Sequence, residues 1–276
     1  MLTISFARFS VLLAAVTSLF LPTHVYPQSH STAETPANIF HATLGETSSA
    51  TPEISTEELR SILASRTATL LDTRPHLEWS ISHIPGALNV APKPGVPMSQ
   101  YTSDIAEIGR LVSGDKSRPL VLYCNGPFCG KSKRVSEDLF AAGYTNVRRY
   151  QLGAPVWRAL GGVMVIELDG VRYVLEKDET AVFIDAREPE EFHTATLPKA
   201  QNIPRSKVLL GKDVGEVKAA KDDGRLPMQD HNTRIVVFGR DAQQAKAVAE
   251  AIAREAFHNV SYFEGSFELL IALLRK

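Results

Sequence analysis

Cysteine is nearly absent: two thiols occur in 276 residues, Cys124 and Cys129, and both lie in one short segment. Net charge is nearly absent too, at -1, which argues against a nucleic-acid partner because neutralising phosphates takes a clear excess of Lys and Arg. No spacing of potential ligands suggests a metal site, and neither metal nor cofactor is expected. A long apolar run is missing as well. The apolar stretch over residues 9–21 is too short for a comfortable membrane span, follows a single positive charge at Arg8, and has the length of a signal-peptide core. Residues 1–28 are therefore expected to be a signal peptide and the protein to be exported, periplasmic or secreted, with no membrane attachment after cleavage. No clean A-x-A cleavage site follows, so an uncleaved anchor stays open as the alternative.

The remaining composition, 44% hydrophobic and 22% charged, is that of a globular protein of one or two domains. Residues 29–52 are rich in Ser, Thr, Ala and Pro without apolar periodicity and read as a flexible linker. Folding is expected from about Ile54, with Ser55 and Glu58 forming a capping box ahead of Leu59, Ile62 and Leu63.

The chain repeats itself. Leu71-Asp72-Thr73-Arg74 matches Ile184-Asp185-Ala186-Arg187 at an offset of 113, and the same offset carries Ile84-Pro85 onto Leu197-Pro198 and Asn146-Val147 onto Asn259-Val260. Each copy alternates strand and helix, which predicts an α/β fold in which a mostly parallel sheet is flanked by helices on both faces. The expected domains are residues 53–165 and 166–276.

Both cysteines fall in the loop Cys124-Asn125-Gly126-Pro127-Phe128-Cys129-Gly130-Lys131-Ser132, between the apolar strand Leu120-Val121-Leu122-Tyr123 and a helix expected to begin near Ser132 and to stop at Gly143. A thiol at a strand's carboxyl end, facing a helix amino terminus and a lysine, is set to ionise, and an anion is its natural guest. Gly126, Pro127 and Gly130 suit a tight loop that turns its N–H groups inward. In the second copy Gly239 stands where Cys124 stands in the first, so that copy cannot do thiol chemistry. The first loop is two residues longer, which predicts a wider cavity.

Other candidates weigh less. Asp72 and Arg74 persist as Asp185 and Arg187 in the copy without cysteine, which marks them as structural ties rather than an acid and base. His83, replaced by Thr196, reads as a rim histidine, and Trp157 as packing. Residues 207–230 read as a solvated excursion, and residues 266–274 as a packed terminal helix.

Together Asp72-x-Arg74, Glu78-Trp79, His83-Ile84-Pro85-Gly86-Ala87, the cysteine loop, Gly143-Tyr144-x-Asn146-Val147, Gly153 and Trp157 resemble a rhodanese domain, with a degenerate second copy behind it. The resemblance implies two rhodanese-like domains and a thiosulfate sulfurtransferase-like enzyme. In it Cys124 takes sulfur from a small anionic donor, holds it as a persulfide and passes it to a thiol or thioredoxin-like acceptor. Asn125, Gly126, Pro127, Phe128, Gly130, Lys131 and Ser132 would bind the donor. Cys129 departs from the family pattern, and two roles stay open for it: resolving the persulfide as a disulfide, or filling an apolar spot beneath the loop. Two other readings stay open. One is a phosphatase or arsenate reductase using the longer loop, against which counts Lys131 where an arginine would close such a loop. The other is a non-catalytic thiol redox-sensing or binding module.

Overall fold

The computed structural model describes residues 38–46, 50–91 and 104–274. The expected signal peptide over residues 1–28, and part of the expected linker, lie outside the described residues. In chain order the first copy runs α1 (Thr56–Ser65), β1 (Thr69–Asp72), α2 (His76–Ile81), β2 (Leu88–Asn89), α3 (Asp104–Leu111), β3 (Leu120–Tyr123), α4 (Gly130–Ala141), β4 (Val147–Tyr150) and α5 (Gly153–Ala159). The second runs β5 (Met164–Ile166), α6 (Leu168–Lys177), β6 (Val182–Asp185), α7 (Pro189–Thr194), β7 (Gln201–Asn202), α8 (Gly215–Asp222), β8 (Ile235–Phe238), α9 (Ala242–Arg254), β9 (Val260–Phe263) and α10 (Phe267–Leu274).

Two parallel sheets result, ordered β2-β1-β3-β4 and β5-β9-β8-β6-β7. Alternation along the strands feeds a core on each face. In the first sheet Leu70, Val121 and Tyr123 pack with α1 and α5, while Leu71, Leu120 and Leu122 pack with α3 and α4. In the second, Ile184, Ile235 and Val237 pack with α8 and α9, and Phe183, Val236 and Phe238 with α6 and α10. Helices therefore cover both faces of each sheet, as the alternating pattern predicts. The capping box at Ser55 and Glu58 forms, and α4 is closed by Gly143 at φ +89°.

Away from the cysteine loop, the structure differs from the sequence reading in four places. Within the expected linker, Glu46 and Thr51 reach the buried Arg149 and Pro52 O accepts from Arg149 N, and just beyond it Glu53 forms a bridge with Arg149 at the sheet edge. A guanidinium buried at the edge of the sheet needs acceptors, and this segment supplies them. β5 is the edge strand of the second sheet, so the expected division at 165/166 cuts through it. The 207–230 excursion contributes α8, with Val217, Ala220 and Leu226 in the core. His83 is no rim residue: it is 4% exposed, stacks on Trp79 at 4.6 Å, and exchanges both backbone hydrogen bonds with Val165 of β5.

That bridge joins the copies. Beside it Gly170 of α6 lies so close to α2 that an added Cβ would stand 2.0 Å from Ser80 O. Burial pushes the His83 imidazole down to about 4, outweighing the help its Nδ1 receives from Trp79 O, and Glu167 at 3.7 Å is too distant to reverse this. Folding thus favours neutral His83, whose ordinary value is near 6.5, so stability falls as pH drops from about 6.5 to about 4 and is unaffected above that window. The loss approaches about 3 kcal/mol. Urea unfolding of the native chain and of His83→Thr should therefore converge in stability as pH falls from 7 to 4.5. Parallel curves for the two proteins would show that His83 does not titrate against folding.

Candidate functional site

Two buried charge clamps, one per copy, end the central strands. Arg74 donates from N and Nε to Asp72 Oδ1 at 2.8 and 3.0 Å, from Nη2 to Oδ2 at 2.6 Å, and from Nη2 to Ser82 O. Arg187 repeats each contact with Asp185 and reaches Ala195 O. Asn89 and Asn202 each tie two backbone carbonyls of the same turn. Asp72 and Arg74 are thus structural, as their persistence in the second copy suggests.

The third contact distinguishes the copies. Tyr123, the residue before Cys124, donates its hydroxyl to Asp72 Oδ2 at 2.6 Å and accepts from Ile84 N at 3.1 Å. Burial first, and then the charge of Asp72, push the Tyr123 phenol well above its ordinary range, so it stays a donor. In the second copy Phe238 has no hydroxyl, and Thr196, at the position of His83, donates to Asp185 Oδ2 at 2.8 Å instead. Thr73 N and Oγ1 both donate to Tyr123 O, fixing the strand end from which Cys124 follows.

Cys124 is 5% exposed, and its Sγ is bonded to that of Cys129, with Cα atoms 6.1 Å apart. The loop between them turns tightly: Gly126 adopts φ +105°, and Cys129 N donates to Gly126 O at 2.9 Å. The extra loop length thus carries Cys129 back to Cys124 rather than leaving the loop open. Cys129 is the cap residue of α4, which starts at Gly130 rather than near Ser132, so the first-turn amides of Gly130, Lys131 and Ser132 lack helical partners beside the sulfurs. Lys131 forms no ion pair among the described residues. Asn125 Nδ2 donates to Glu78, Pro127 is half-buried, and Phe128 is fully exposed. The predicted loop residues are therefore gathered around the two sulfurs, with Asn125 directed to Glu78 and Phe128 to solvent.

Sequence reasoning missed two residues behind the loop. Gln151, buried after β4, donates to Pro127 O at 3.3 Å and Cys129 O at 3.2 Å, and its Oε1 accepts from Arg149 Nη1 at 2.8 Å. Their counterparts at the repeat offset are Glu264 and Tyr262, a divergence confined to the copy without cysteine, and that contrast was the available signal. Gly153 is the other support: at φ +66°, a Cβ there would lie 2.4 Å from both Cys124 O and Gly126 N. Cys124 O accepts instead from Ala154 N at 3.1 Å. In the second copy Gly239 carries no side chain, and Gln244 Oε1, the end of a flexible side chain, lies 2.9 Å from where its Cβ would stand.

The rhodanese-like domain pattern matches residues 55–160 and 172–272. A human thiosulfate:glutathione sulfurtransferase is 35% identical over 108 residues, covering 36% of this chain and 86% of that protein. An HTH-type transcriptional regulator of Mycobacterium tuberculosis is 35% identical over 96 residues, 34% of this chain, and the match spans only 35% of the regulator's own length. Among solved structures, a 3-mercaptopyruvate sulfotransferase of Escherichia coli aligns over 79% of this chain and 99% of its own, at 17% identity and a TM-score of 0.33.

Gly153→Ala is expected to cost at least ~2 kcal/mol in urea unfolding, from strain at positive φ and from the clash with the loop backbone. A stability within about 0.5 kcal/mol of the native chain would mean that the close approach of α5 to the cysteine loop is not a real constraint.

Proposed function

The chain belongs to the rhodanese-like domain family, with the domain written twice, and from that premise we propose that it is a sulfurtransferase carrying sulfane sulfur on Cys124 of the first copy. The observation that carries this reading is the position of Cys124: it follows a parallel strand, its loop closes on a helix amino terminus, and its counterpart Gly239 has no side chain to play such a role. Unpaired amides and Lys131 stabilise a thiolate there and attract a small anion, for which Asn125, Gly126, Pro127, Phe128, Gly130, Lys131 and Ser132 form the surround.

In the reduced protein the Cys124 thiolate attacks the outer sulfur of thiosulfate or a related donor. A sulfur–sulfur bond forms as the donor's own breaks, and sulfite leaves with the electron pair. The persulfide then has two fates. An external thiolate takes the outer sulfur and frees Cys124, or Cys129 attacks Cys124 Sγ, expelling hydrosulfide and forming the disulfide. A thioredoxin-like dithiol, oxidised to its own disulfide, supplies the two electrons that reopen it. The name of the human relative supports thiosulfate as the donor to try first. In this reading the protein works outside the cytoplasm, periplasmic or secreted, after its amino-terminal segment has directed export. A second reading, a thiol module that toggles without turnover, is favoured by the disulfide itself.

Intact mass of the reduced protein before and after thiosulfate separates the two. Sulfur transfer predicts a gain of one sulfur that vanishes in Cys124→Ser and accumulates in Cys129→Ser. A native chain and a Cys129→Ser variant that both fail to gain sulfur, while the disulfide still opens and closes, would replace transfer with redox sensing.

A further inference from the structure

Away from the cysteine loop, the two copies enclose a groove of about 970 Å³. It opens at the amino-terminal ends of the first sheet's strands, where Thr69 of β1 and Arg118 ahead of β3 line it, whereas Cys124 follows the carboxyl end of β3. The groove is strongly cationic. Arg60 and Arg66 enter it from α1 and its cap, and Lys246 and Arg254 enter from one face of α9, joining Arg118. Two carboxylates face these five cations, and both are already engaged: Glu250 pairs with Lys246 at 3.9 Å, and Glu264 accepts from Tyr262 Oη at 3.3 Å.

Most of the cations have a structural occupation. Arg60 donates to Leu160 O at 2.7 Å and lies over the rings of Phe40 and Trp157, and Arg118 donates to Thr69 Oγ1 at 2.9 Å. Arg254 has none. Its Nε is the one buried side-chain nitrogen or oxygen among the described residues left without a hydrogen-bond partner. The last turn of α9 explains why a positive charge is tolerated there, since helix carbonyl ends favour cations, but it provides no acceptor for a buried N–H. That Nε is itself shut from solvent; what an anion in the groove would meet is the rest of the Arg254 guanidinium, and the surplus positive charge there calls for such a partner from outside.

We propose that this groove binds a small, multiply charged oxyanion of the phosphate or sulfate class, with Arg254 as its principal ligand and Arg60 and Arg66 completing the charge. Guanidinium forks suit the oxygen spacing of such groups, and Leu88, which also lines the groove and is exposed, offers apolar surface for an attached organic part. The site is separate from the cysteine loop, and its existence does not depend on sulfur transfer.

Titration calorimetry of the full chain at constant ionic strength tests this, with pyrophosphate as the probe and inorganic phosphate, sulfate and chloride as separate titrants. Saturable pyrophosphate binding is expected, weakened about tenfold or more in Arg254→Met, several-fold in the exposed Arg66→Gln, and unchanged in Lys212→Gln, an exposed lysine outside the groove. Phosphate binding better than sulfate assigns the ligand to phosphate compounds, and the reverse assigns it to sulfate compounds; both outcomes uphold the site. If Arg254→Met fails to fold, Arg66→Gln alone decides. No saturable binding, an equal response to chloride, an affinity untouched in both groove variants, or a loss confined to Lys212→Gln would each overturn the proposal.

Discussion

The buried carboxylate–guanidinium pair of Asp72 and Arg74 is the contact on which the first copy's architecture hangs. Both side chains are shut from solvent, so each charge is tolerable only because the other satisfies it, and removing one partner of such a pair typically costs about 3–5 kcal/mol. The pair also does geometric work. Arg74 ties the end of β1 to the carbonyl of Ser82, Asn89 ties the same turn to β2, and Tyr123 brings β3 into register against Asp72. Cys124 is the next residue along, so the clamp sets where the sulfur leaves the sheet.

From that point the constraint passes outward through backbone rather than side chains. The carbonyl of Cys124 receives the amide of Ala154, and the hydrogen-only face of Gly153 lets α5 approach the loop. On the other side a polar relay runs from Glu46 through Arg149 and Gln151 to the carbonyls of Pro127 and Cys129. Such a relay is costly to bury unless each member is satisfied, and here each is. The second copy keeps the clamp and discards the rest. Gly239, Glu264 and Tyr262 stand where the nucleophile and its two braces would be. The clamp is therefore a property of the fold, and the relay is a property of the site.

Much of this was legible in the residues themselves. The offset of 113 exposed the repeat, the alternation of strands and helices gave the parallel sheets, and the Ser55–Glu58 box and Gly143 marked helix ends because capping is local. The failures were all cases in which a distant partner decides. His83 looked like a rim residue because nothing near it in sequence announces that β5 pairs with its backbone. The exchange of Tyr123 and His83 for Phe238 and Thr196 makes sense only once each copy's clamp carboxylate is seen to take its extra donor from a different position, Tyr123 onto Asp72 in the first copy and Thr196 onto Asp185 in the second. Residues 38–52 carry no apolar period, yet their described part is ordered by the charge of Arg149. Gln151 and Arg149 escaped notice because a brace is recognised by what it touches.

The account stands or falls on Cys124 being a thiolate at neutral pH, presented by a fold that keeps its surroundings electropositive. The direct measurement is the rate of iodoacetamide alkylation of Cys124 against pH, in the reduced Cys129→Ser chain where it is the sole thiol. The account predicts a half-maximal rate at least about one pH unit below the value near 8.5 of a free cysteine. A midpoint at or above about 8.5 would contradict it, leaving Cys124 an inert buried thiol at the end of a well-clamped strand.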